Sequence, residues 1–374
     1  MLPALQHGGY SRHFRAHIPV YKRQILMHLV LQNTIARLQL DKMQPTTELL
    51  IPDLLSLCPF PWSSNPHHSR ANKESTEWVL SHGIFANSKR ARIISSNGAL
   101  LGAHTYTYAN ADVLRTCSDF LNLLFTLDEI SDDQDINGVR RTRDAFVNAL
   151  NGKYDDNSVV SRFTKDFMKR LSKSTKEFRR RFITHCTDYI DTVLPEADLR
   201  AQGKVLSLEE YVHHRRENGG VRPCFDLFEY AFGITLPDAV FKDPAFMRAY
   251  FAAVDMIGWS NDVYSYAAEL SRGLEGNNAL TILMKTKGLS ITEALDYVEV
   301  EFKQFLKTFV TSKAQIRSFG PEVDAAVRSY IHGMEQWVVG NIVWSFDTQR
   351  YFGADHEEVK RTRIVKLKQL ESAK

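Results

Sequence analysis

Apolar residues recur along most of the chain at helical spacing, three to four positions apart, and clusters of Gly, Pro and Asn interrupt the runs. Alternating runs of Val, Ile, Thr and Tyr, which would indicate strands, are nearly absent. The pattern predicts helices at about 73–86, 91–99, 111–130, 138–151, 159–194, 207–217, 224–232, 244–270, 291–312, 321–346 and 356–370. The proline-rich segment 49–66 is predicted to be extended, because proline interrupts helices. We therefore expect a single all-α domain of ten or more helices.

One predicted helix ends in a cluster of carboxylates. Residues 121–127 are apolar on nearly every side, and Asp128, Glu129, Asp132 and Asp133 follow them. A helix of this kind lies inside a domain, so its charges need compensation. Like charges one helical turn apart repel each other unless a cation lies between them. Oxygen ligands alone suit Mg²⁺ or Mn²⁺, so the cluster indicates a metal site; the alternative is a solvated acidic helix end.

A second group of oxygen donors lies on the apolar helix predicted at 244–270. Asn261, Ser265 and Glu269 are spaced four residues apart, so they form one stripe along a helix face. An amide, a hydroxyl and a carboxylate one turn apart fit a second site for a hard cation. Alternatively, Asn and Ser satisfy buried backbone groups. Two such clusters on two buried helices favour the metal interpretation.

Arginines that could bind an anion accompany the two clusters. Arg215 and Arg216 precede the stretch 218–220, where a helical pattern stops before it resumes at 224, which predicts a helix interrupted midway. Arg350 and Tyr351 follow an aromatic helix end. Arginine forks suit phosphate oxygens, although a single arginine most often forms a surface ion pair.

Composition limits the possible partners. The chain has 374 residues, of which 44% are hydrophobic, and a formal net charge of +3, which is too balanced to indicate nucleic acid. No apolar run approaches the roughly 18 to 20 residues that a transmembrane helix needs. The four cysteines show neither metal nor disulfide spacing, so we expect them to be reduced and the protein to be cytoplasmic.

The first forty residues contain no Asp or Glu but several arginines. Acid-poor leaders of this kind can be transit peptides, but serine is scarce and no cleavage signal is visible, which favours an arm or a cap over the domain. The predicted organisation is an N-terminal arm at 1–48, a helical domain at 49–355 and a basic tail or helix at 356–374.

The motifs resemble those of class I terpene synthases, and most closely the sesquiterpene cyclases of mushroom-forming fungi, including the protoilludene synthase group. Residues 128–132 are similar to the aspartate-rich motif D(D/E)xxD, and residues 261–269 to the motif NDxxSxxxE. Arg350–Tyr351 resembles the C-terminal RY pair, and residues 215–220 resemble the diphosphate-sensing arginine with its helix break. The similarity covers all of the chain except the arm and the tail.

The resemblance implies an α-helical barrel that binds three Mg²⁺ ions, for which Mn²⁺ can substitute, together with the substrate farnesyl diphosphate. The metal ligands that it implies are Asp128, Asn261, Ser265 and Glu269. The carboxylates that it places behind the ligands, and not on the metal, are Glu129, Asp132 and Asp262.

The same resemblance implies that the diphosphate is bound by Arg215, Arg350 and Tyr351. Arg215 is chosen by counting back three residues from Asn218, with Arg216 as the alternative, and the carbonyl of Gly219 would help to trigger ionisation. Many relatives have a lysine just before the glutamate of the second motif. This chain has Ala268 there, and Arg272, one turn further on, is the candidate substitute.

A carbocation in such a site needs an apolar wall with aromatic faces, which attract cations without donating a lone pair. The candidates for that wall are Phe125, Trp259, Trp337, Trp344 and Phe346, each of which could instead be ordinary core.

The sequence therefore predicts a sesquiterpene synthase that ionises farnesyl diphosphate with Mg²⁺ and cyclises the resulting cation. One alternative is a chain-elongating prenyltransferase, which would need a second DDxxD where this chain has the Asn261 motif. Another is a catalytically silent helical scaffold. The sequence leaves the choice between a monomer and a homodimer open.

Overall fold

Helices dominate the structure, a computed structural model that describes residues 46–368 apart from 85–86, 133 and 154–155. The helices are α1 (Leu54–Leu57), α2 (His68–Ser81), α3 (Asn87–Ser96), α4 (Gly98–Thr105), α5 (Ala111–Ser131), α6 (Ile136–Leu150), α7 (Val159–Arg170), α8 (Lys176–Asp191), α9 (Val193–Gln202), α10 (Leu208–Asn218), α11 (Val221–Phe232), α12 (Pro244–Leu270), α13 (Ala279–Lys287), α14 (Ile291–Lys313), α15 (Pro321–Asp347), α16 (Gln349–Phe352) and α17 (His356–Thr362). Two short strands, β1 (Thr46–Leu50) and β2 (Ile364–Lys368), pair with each other. The predicted all-α fold is confirmed, and none of the described helices combines the length and apolarity that a membrane crossing requires.

Residues Glu48–Leu367 form a compact unit that contains all of these helices, so α17 belongs to the unit and not to a separate tail. The arm predicted at 1–48 and the end of the predicted tail lie almost entirely outside the described residues.

Local sequence fixes the start of the helices that carry the candidate residues. The side chain of Asn110 accepts hydrogen bonds from the first backbone N–H groups of α5, and Asp243 does the same for α12, which has proline at its first position. Ser207 and Glu210 form a capping box at the start of α10. These caps satisfy backbone donors that would otherwise be unpaired.

The core lies between α5, α12 and α15, whose apolar faces are almost completely buried. Helix α4 packs against both α5 and α15. A Cβ atom at Gly340 of α15 would overlap the carbonyl oxygen of His104, so only glycine allows α15 to approach α4 this closely. Helices α5 and α15 are thus held together through α4. Two of the three central helices, α5 and α12, carry the two predicted metal motifs.

Several predicted helix boundaries are wrong. The helix predicted at 159–194 is divided into α7, α8 and the start of α9, because Ser and Thr residues at 172–175 end one helix and cap the next. The helix predicted at 91–99 ends at Ser96, and Asn97, with a φ of 48°, begins α4. The helix predicted at 356–370 stops at Thr362, where Arg363 adopts a φ of 58° before β2. The interruption predicted at 218–220 is confirmed between α10 and α11.

Candidate active site

A cavity of about 300 Å³ opens among the central helices, a size typical of small-molecule sites. The acidic, amide and hydroxyl side chains that line it include Asp128, Glu129, Asp132, Glu196, Asn218, Asn261, Asp262, Ser265 and Glu269. The arginines that line it are Arg92, Arg200, Arg215, Arg272 and Arg350. The two predicted metal motifs therefore face one shared cavity.

Asp128 lies at the end of α5 and is paired with an arginine. Its Oδ2 atom is 3.1 Å from a guanidinium nitrogen of Arg350, which also donates to Ser96 Oγ at 2.7 Å. The Arg350 guanidinium lies 4.6 Å from the centre of the Phe125 ring. Burial raises the pKa of Asp128, and the charge of Arg350 opposes that rise. Arg350 thus offsets the negative charge of Asp128 in the first motif.

The two neighbouring carboxylates of the first motif contact other arginines. Glu129 is 1% exposed and accepts from Arg92 Nε at 3.0 Å. Arg272, near the end of α12, lies 2.8 Å from Asp132 and 3.6 Å from Glu129. Burial, followed by the charge of Asp128, raises the pKa of Asp132 to about 7. Arg272, the candidate substitute for the missing lysine, therefore bridges the two helices that carry the motifs.

The second motif places three oxygen donors along one face of α12. Asn261 Nδ2 donates to the hydroxyl of Tyr351 at 2.7 Å, and Glu269 Oε2 accepts from Asn278 at 3.0 Å. Ser265 Oγ is buried and has no hydrogen-bond partner of normal geometry in the described part of the chain. Burial, followed by the charge of Asp262, raises the pKa of Glu269 to about 7. A buried hydroxyl without a hydrogen-bond partner of normal geometry, between an amide and a carboxylate of raised pKa, fits a site that a cation completes.

Charged ligands alone do not complete either site. In the described ranges, no three Asp, Glu, His or Cys side chains are grouped closely enough to hold a metal ion. A metal ion bound here would therefore also need amide and hydroxyl oxygens, together with oxygens from outside the protein. This donor set suits Mg²⁺, which keeps several ligands from water or phosphate.

The structure distinguishes Arg215 from Arg216. Arg215 points into the cavity, where it donates to Asn261 Oδ1 at 2.8 Å and to Asn218 Oδ1 at 3.0 Å. Arg216 forms two hydrogen bonds to Asp255, of 2.8 and 2.7 Å, and is not part of the cavity lining. Of these two arginines, Arg215 is therefore the one placed to meet an anion in the cavity.

The carboxylate of Asp262 binds the guanidinium of Arg215 and thereby orients it. Asp262 is 2% exposed and accepts from Arg215 Nε at 3.0 Å, from the Ala279 backbone N–H at 2.8 Å and from the hydroxyl of Tyr211. Burial raises the pKa of Asp262, and Arg215 opposes that rise. These three hydrogen bonds to the Asp262 carboxylate all come from groups of the protein.

The helix interruption packs tightly against α5. Gly220 has a φ of 63°, a conformation that favours glycine, and a Cβ atom there would lie 3.2 Å from Leu124 Cδ1. A Cβ atom at Gly219 would lie 3.2 Å from both the carbonyl oxygen and a guanidinium nitrogen of Arg215. The peptide groups of this segment therefore line the cavity without intervening side chains.

Three of the five aromatic candidates line the cavity, namely Phe125, Trp337 and Trp344. The Phe125 and Trp344 rings stack with their centres 5.6 Å apart. The predictions for Trp259 and Phe346 are wrong. Trp259 packs against Tyr211 and Phe305, and Phe346 packs against Tyr264 and Phe352.

Sequence reasoning missed several polar residues of the cavity, among them Arg92, Glu196 and Asn341. The spacing of Trp337, Asn341 and Trp344 on α15 places all three on one helix face and could have indicated Asn341. No local signal indicated Arg92 or Glu196, because their positions depend on how α3 and α9 pack against other helices.

An all-α fold whose cavity joins an aspartate-rich motif to an Asn, Ser and Glu motif defines a class I terpene synthase of the type found in mushroom-forming fungi. The chain belongs to the family described as terpene synthase family 2, C-terminal metal binding, whose model matches residues 119–308. The resemblance stated from the motifs is thereby confirmed, and the protein is a terpene cyclase of a metal-binding family.

Individual relatives agree over most of their length. A protein of Cyclocybe aegerita named bifunctional terpene synthase Agr4 is 42% identical over 86% of this chain and 94% of its own. A protein of Coprinopsis cinerea is 44% identical over 87% of this chain and 95% of its own, and its name, linoleate 10R-lipoxygenase COP4, states a different chemistry. The solved structure of hedycaryol synthase in complex with nerolidol matches with a TM-score of 0.69 and 25% identity, over 79% of this chain and 100% of that one. Other fungal relatives are named sesquiterpene synthases.

Proposed function

We propose that this cyclase is a sesquiterpene synthase that ionises farnesyl diphosphate with Mg²⁺, cyclises the carbocation and releases diphosphate. The observation that carries the proposal is that Asp128 on α5 and Asn261, Ser265 and Glu269 on α12 face one cavity beside Arg215 and Arg350. The names of the fungal relatives support the sesquiterpene class.

In this proposal, Asp128 would hold Mg²⁺ on one side of the cavity. Asn261, Ser265 and Glu269 would hold Mg²⁺ on the opposite side. Three bound ions would stabilise the negative charge that develops on the leaving diphosphate. Glu129, Asp132 and Asp262 do not bind metal and instead fix the arginines around it.

The diphosphate is bound by Arg215, Arg350 and the Tyr351 hydroxyl. Arg215 and Tyr351 both contact Asn261, so an anion bound beside that residue lies within reach of both. Guanidinium groups donate pairs of hydrogen bonds to such an anion and are always charged. Gly219 lines the cavity next to Asn218, and in this proposal its carbonyl assists ionisation.

The hydrocarbon chain lies against Phe125, Trp337 and Trp344. Their rings exclude water, which would quench a carbocation, and their negative faces attract the positive charge. Diphosphate itself is the base for the final proton loss in this scheme.

Incubation of the purified protein with farnesyl diphosphate, with and without Mg²⁺, tests the proposal. We expect volatile C15 products by gas chromatography with mass spectrometry only when Mg²⁺ is present. In a parallel incubation with added isopentenyl diphosphate, a longer prenyl diphosphate product would instead show chain elongation, and no turnover in either incubation would show a silent scaffold.

A further inference from the structure

Glu196 of α9 links the wall of the cavity to the helix interruption. Its Oε1 atom accepts a hydrogen bond from Asn218 Nδ2 at 2.6 Å and another from His214 Nε2 at 2.7 Å. The Glu196 side chain is 20% exposed and that of His214 is 14% exposed, so solvent competes little for either bond. Because an ionised carboxylate only accepts, Nε2 of His214 carries a proton.

The amide of Asn218 is held from both ends by groups of opposite charge. Its nitrogen donates to Glu196, while its oxygen accepts from Arg215 Nη1 at 3.0 Å. Only one orientation of the amide satisfies both partners. Arg215 also donates to Asn261 Oδ1 at 2.8 Å, and Asn261 donates to Tyr351 at 2.7 Å. A continuous series of hydrogen bonds therefore connects Glu196 with the candidate metal and diphosphate residues.

The position of Asn218 determines that of the next two peptide groups. Gly219 and Gly220 follow it directly, and a Cβ atom added at either would lie 3.2 Å from a neighbouring atom, so little free space surrounds this segment. Asn218 is the residue through which a neighbouring helix, α9, holds this segment by a charged hydrogen bond.

We propose that Glu196 is a positioning residue for the ionisation step. It holds the amide of Asn218, and with it the peptide groups of Gly219 and Gly220, in place at the cavity, while Arg215 keeps its bonds to Asp262 and Asn261. His214 holds the carboxylate of Glu196 in turn. The inference rests on the proposed function, since it concerns the same site and substrate class.

Three variants test the inference. Glu196→Ala removes the acceptor, Glu196→Gln keeps an oxygen for Asn218 Nδ2, and Asp198→Ala is a matched control, because Asp198 is an exposed carboxylate on the same helix. For Glu196→Ala we expect kcat with farnesyl diphosphate and Mg²⁺ to fall about 10- to 100-fold while KM changes less than about twofold. Glu196→Gln should recover most of kcat, and Asp198→Ala should match the wild type.

Two measurements do not depend on turnover. In the metal-free protein, amide hydrogen exchange in a peptide covering 216–222 should be roughly tenfold faster in Glu196→Ala than in the wild type, since about that factor corresponds to the loss of one hydrogen bond to a charged group. Calorimetric binding of Mg²⁺ with inorganic diphosphate should be unchanged. If Glu196→Ala does not fold, His214→Gln should show the same division between kcat and KM with a smaller loss.

Unchanged exchange and kcat in Glu196→Ala would overturn the inference, and so would a Glu196→Gln variant as impaired as Glu196→Ala. Weaker binding of Mg²⁺ with diphosphate would show that the carboxylate acts on the ions directly, which also overturns it. An inactive wild-type protein would overturn the proposed function and this inference with it. An active wild type with an unaffected Glu196→Ala would overturn the inference alone.

Discussion

Replacement of Asp262 by asparagine should destabilise the fold and disturb the cavity at the same time. The Asp262 carboxylate is contacted by donors of three residues: two guanidinium nitrogens of Arg215 lie 3.0 and 2.8 Å from Oδ1, and the Ala279 N–H and the Tyr211 hydroxyl donate to Oδ2. An asparagine amide offers one oxygen in place of two. Whichever way it turns, its NH₂ group faces an N–H group of Arg215 or of Ala279.

The size of the loss follows from the burial of the pair. The side chains of Asp262 and Arg215 are 3% and 12% exposed, so the arginine would keep its charge without a counter-charge. Breaking a buried ion pair by removing one partner costs about 3–5 kcal/mol. We expect the free energy of unfolding of Asp262→Asn to fall by about that amount, and Arg215 to lose its orientation.

Asp255→Asn is the matched control, because Asp255 lies two turns earlier on α12 and pairs with Arg216, which is 26% exposed. That variant should lose about 1–3 kcal/mol and should keep its binding of Mg²⁺ with diphosphate. Urea unfolding followed by circular dichroism measures the stability, and calorimetry measures the binding. If Asp262→Asn were as stable as the wild type, or no less stable than Asp255→Asn, the reasoning about this buried pair would be refuted.

Three further predictions concern the two motifs and the helix interruption. Asp128→Asn should lower turnover about 100-fold or more without unfolding the chain, because it removes a candidate ligand. Glu269→Gln should raise the Mg²⁺ concentration that gives half-maximal rate at least about tenfold, for the same reason. Gly220→Ala should cost about 1–2 kcal/mol of stability, because the φ of 63° is strained for alanine, and more where the added methyl meets Leu124.

Each of these has a control on the same kind of element. Asp112→Asn, an exposed carboxylate at the other end of α5, should leave turnover unchanged, and near-normal turnover in Asp128→Asn would contradict its role as a ligand. An unchanged Mg²⁺ titration in Glu269→Gln would count against the second motif. Gly233→Ala has a similar φ of 65° with open space around the Cβ, so equal losses at both glycines would mean that the Leu124 contact contributes nothing.

Residues one or two helical turns apart could be placed from the sequence alone, because a helix fixes their common face. Asn261, Ser265 and Glu269 fall along one side of α12 for that reason, and all of them line the cavity. The same geometry could have excluded Trp259, which lies two positions before Asn261 and hence about 200° away around the helix. Phe346 likewise lies two positions from Trp344, and hence about 200° away around α15.

Features that depend on contacts between helices could not be read from the sequence. Glu196 reaches Asn218 only because α9 packs beside the end of α10. The sequence of residues 193–202 contains no pattern that predicts this contact. The sequence alone does not decide between Arg215 and Arg216, for a related reason. Consecutive residues on a helix point about 100° apart, and only the positions of Asp255 and Asp262 decide which arginine faces inward.

Four of the five arginines that line the cavity, Arg92, Arg215, Arg272 and Arg350, form ion pairs with carboxylates. Among the described residues that line it, six carboxylates and five arginines nearly cancel, which leaves formally one negative charge. A polyanion that takes over the Arg350 nitrogen now bound to Asp128 enters by exchange. Bare sulfate or pyrophosphate should consequently be poor competitors, whereas an anion that arrives with its own counter-ions leaves the released carboxylate with a replacement cation. On the proposed function, such a cavity would favour an electrically balanced salt of the substrate over the free anion.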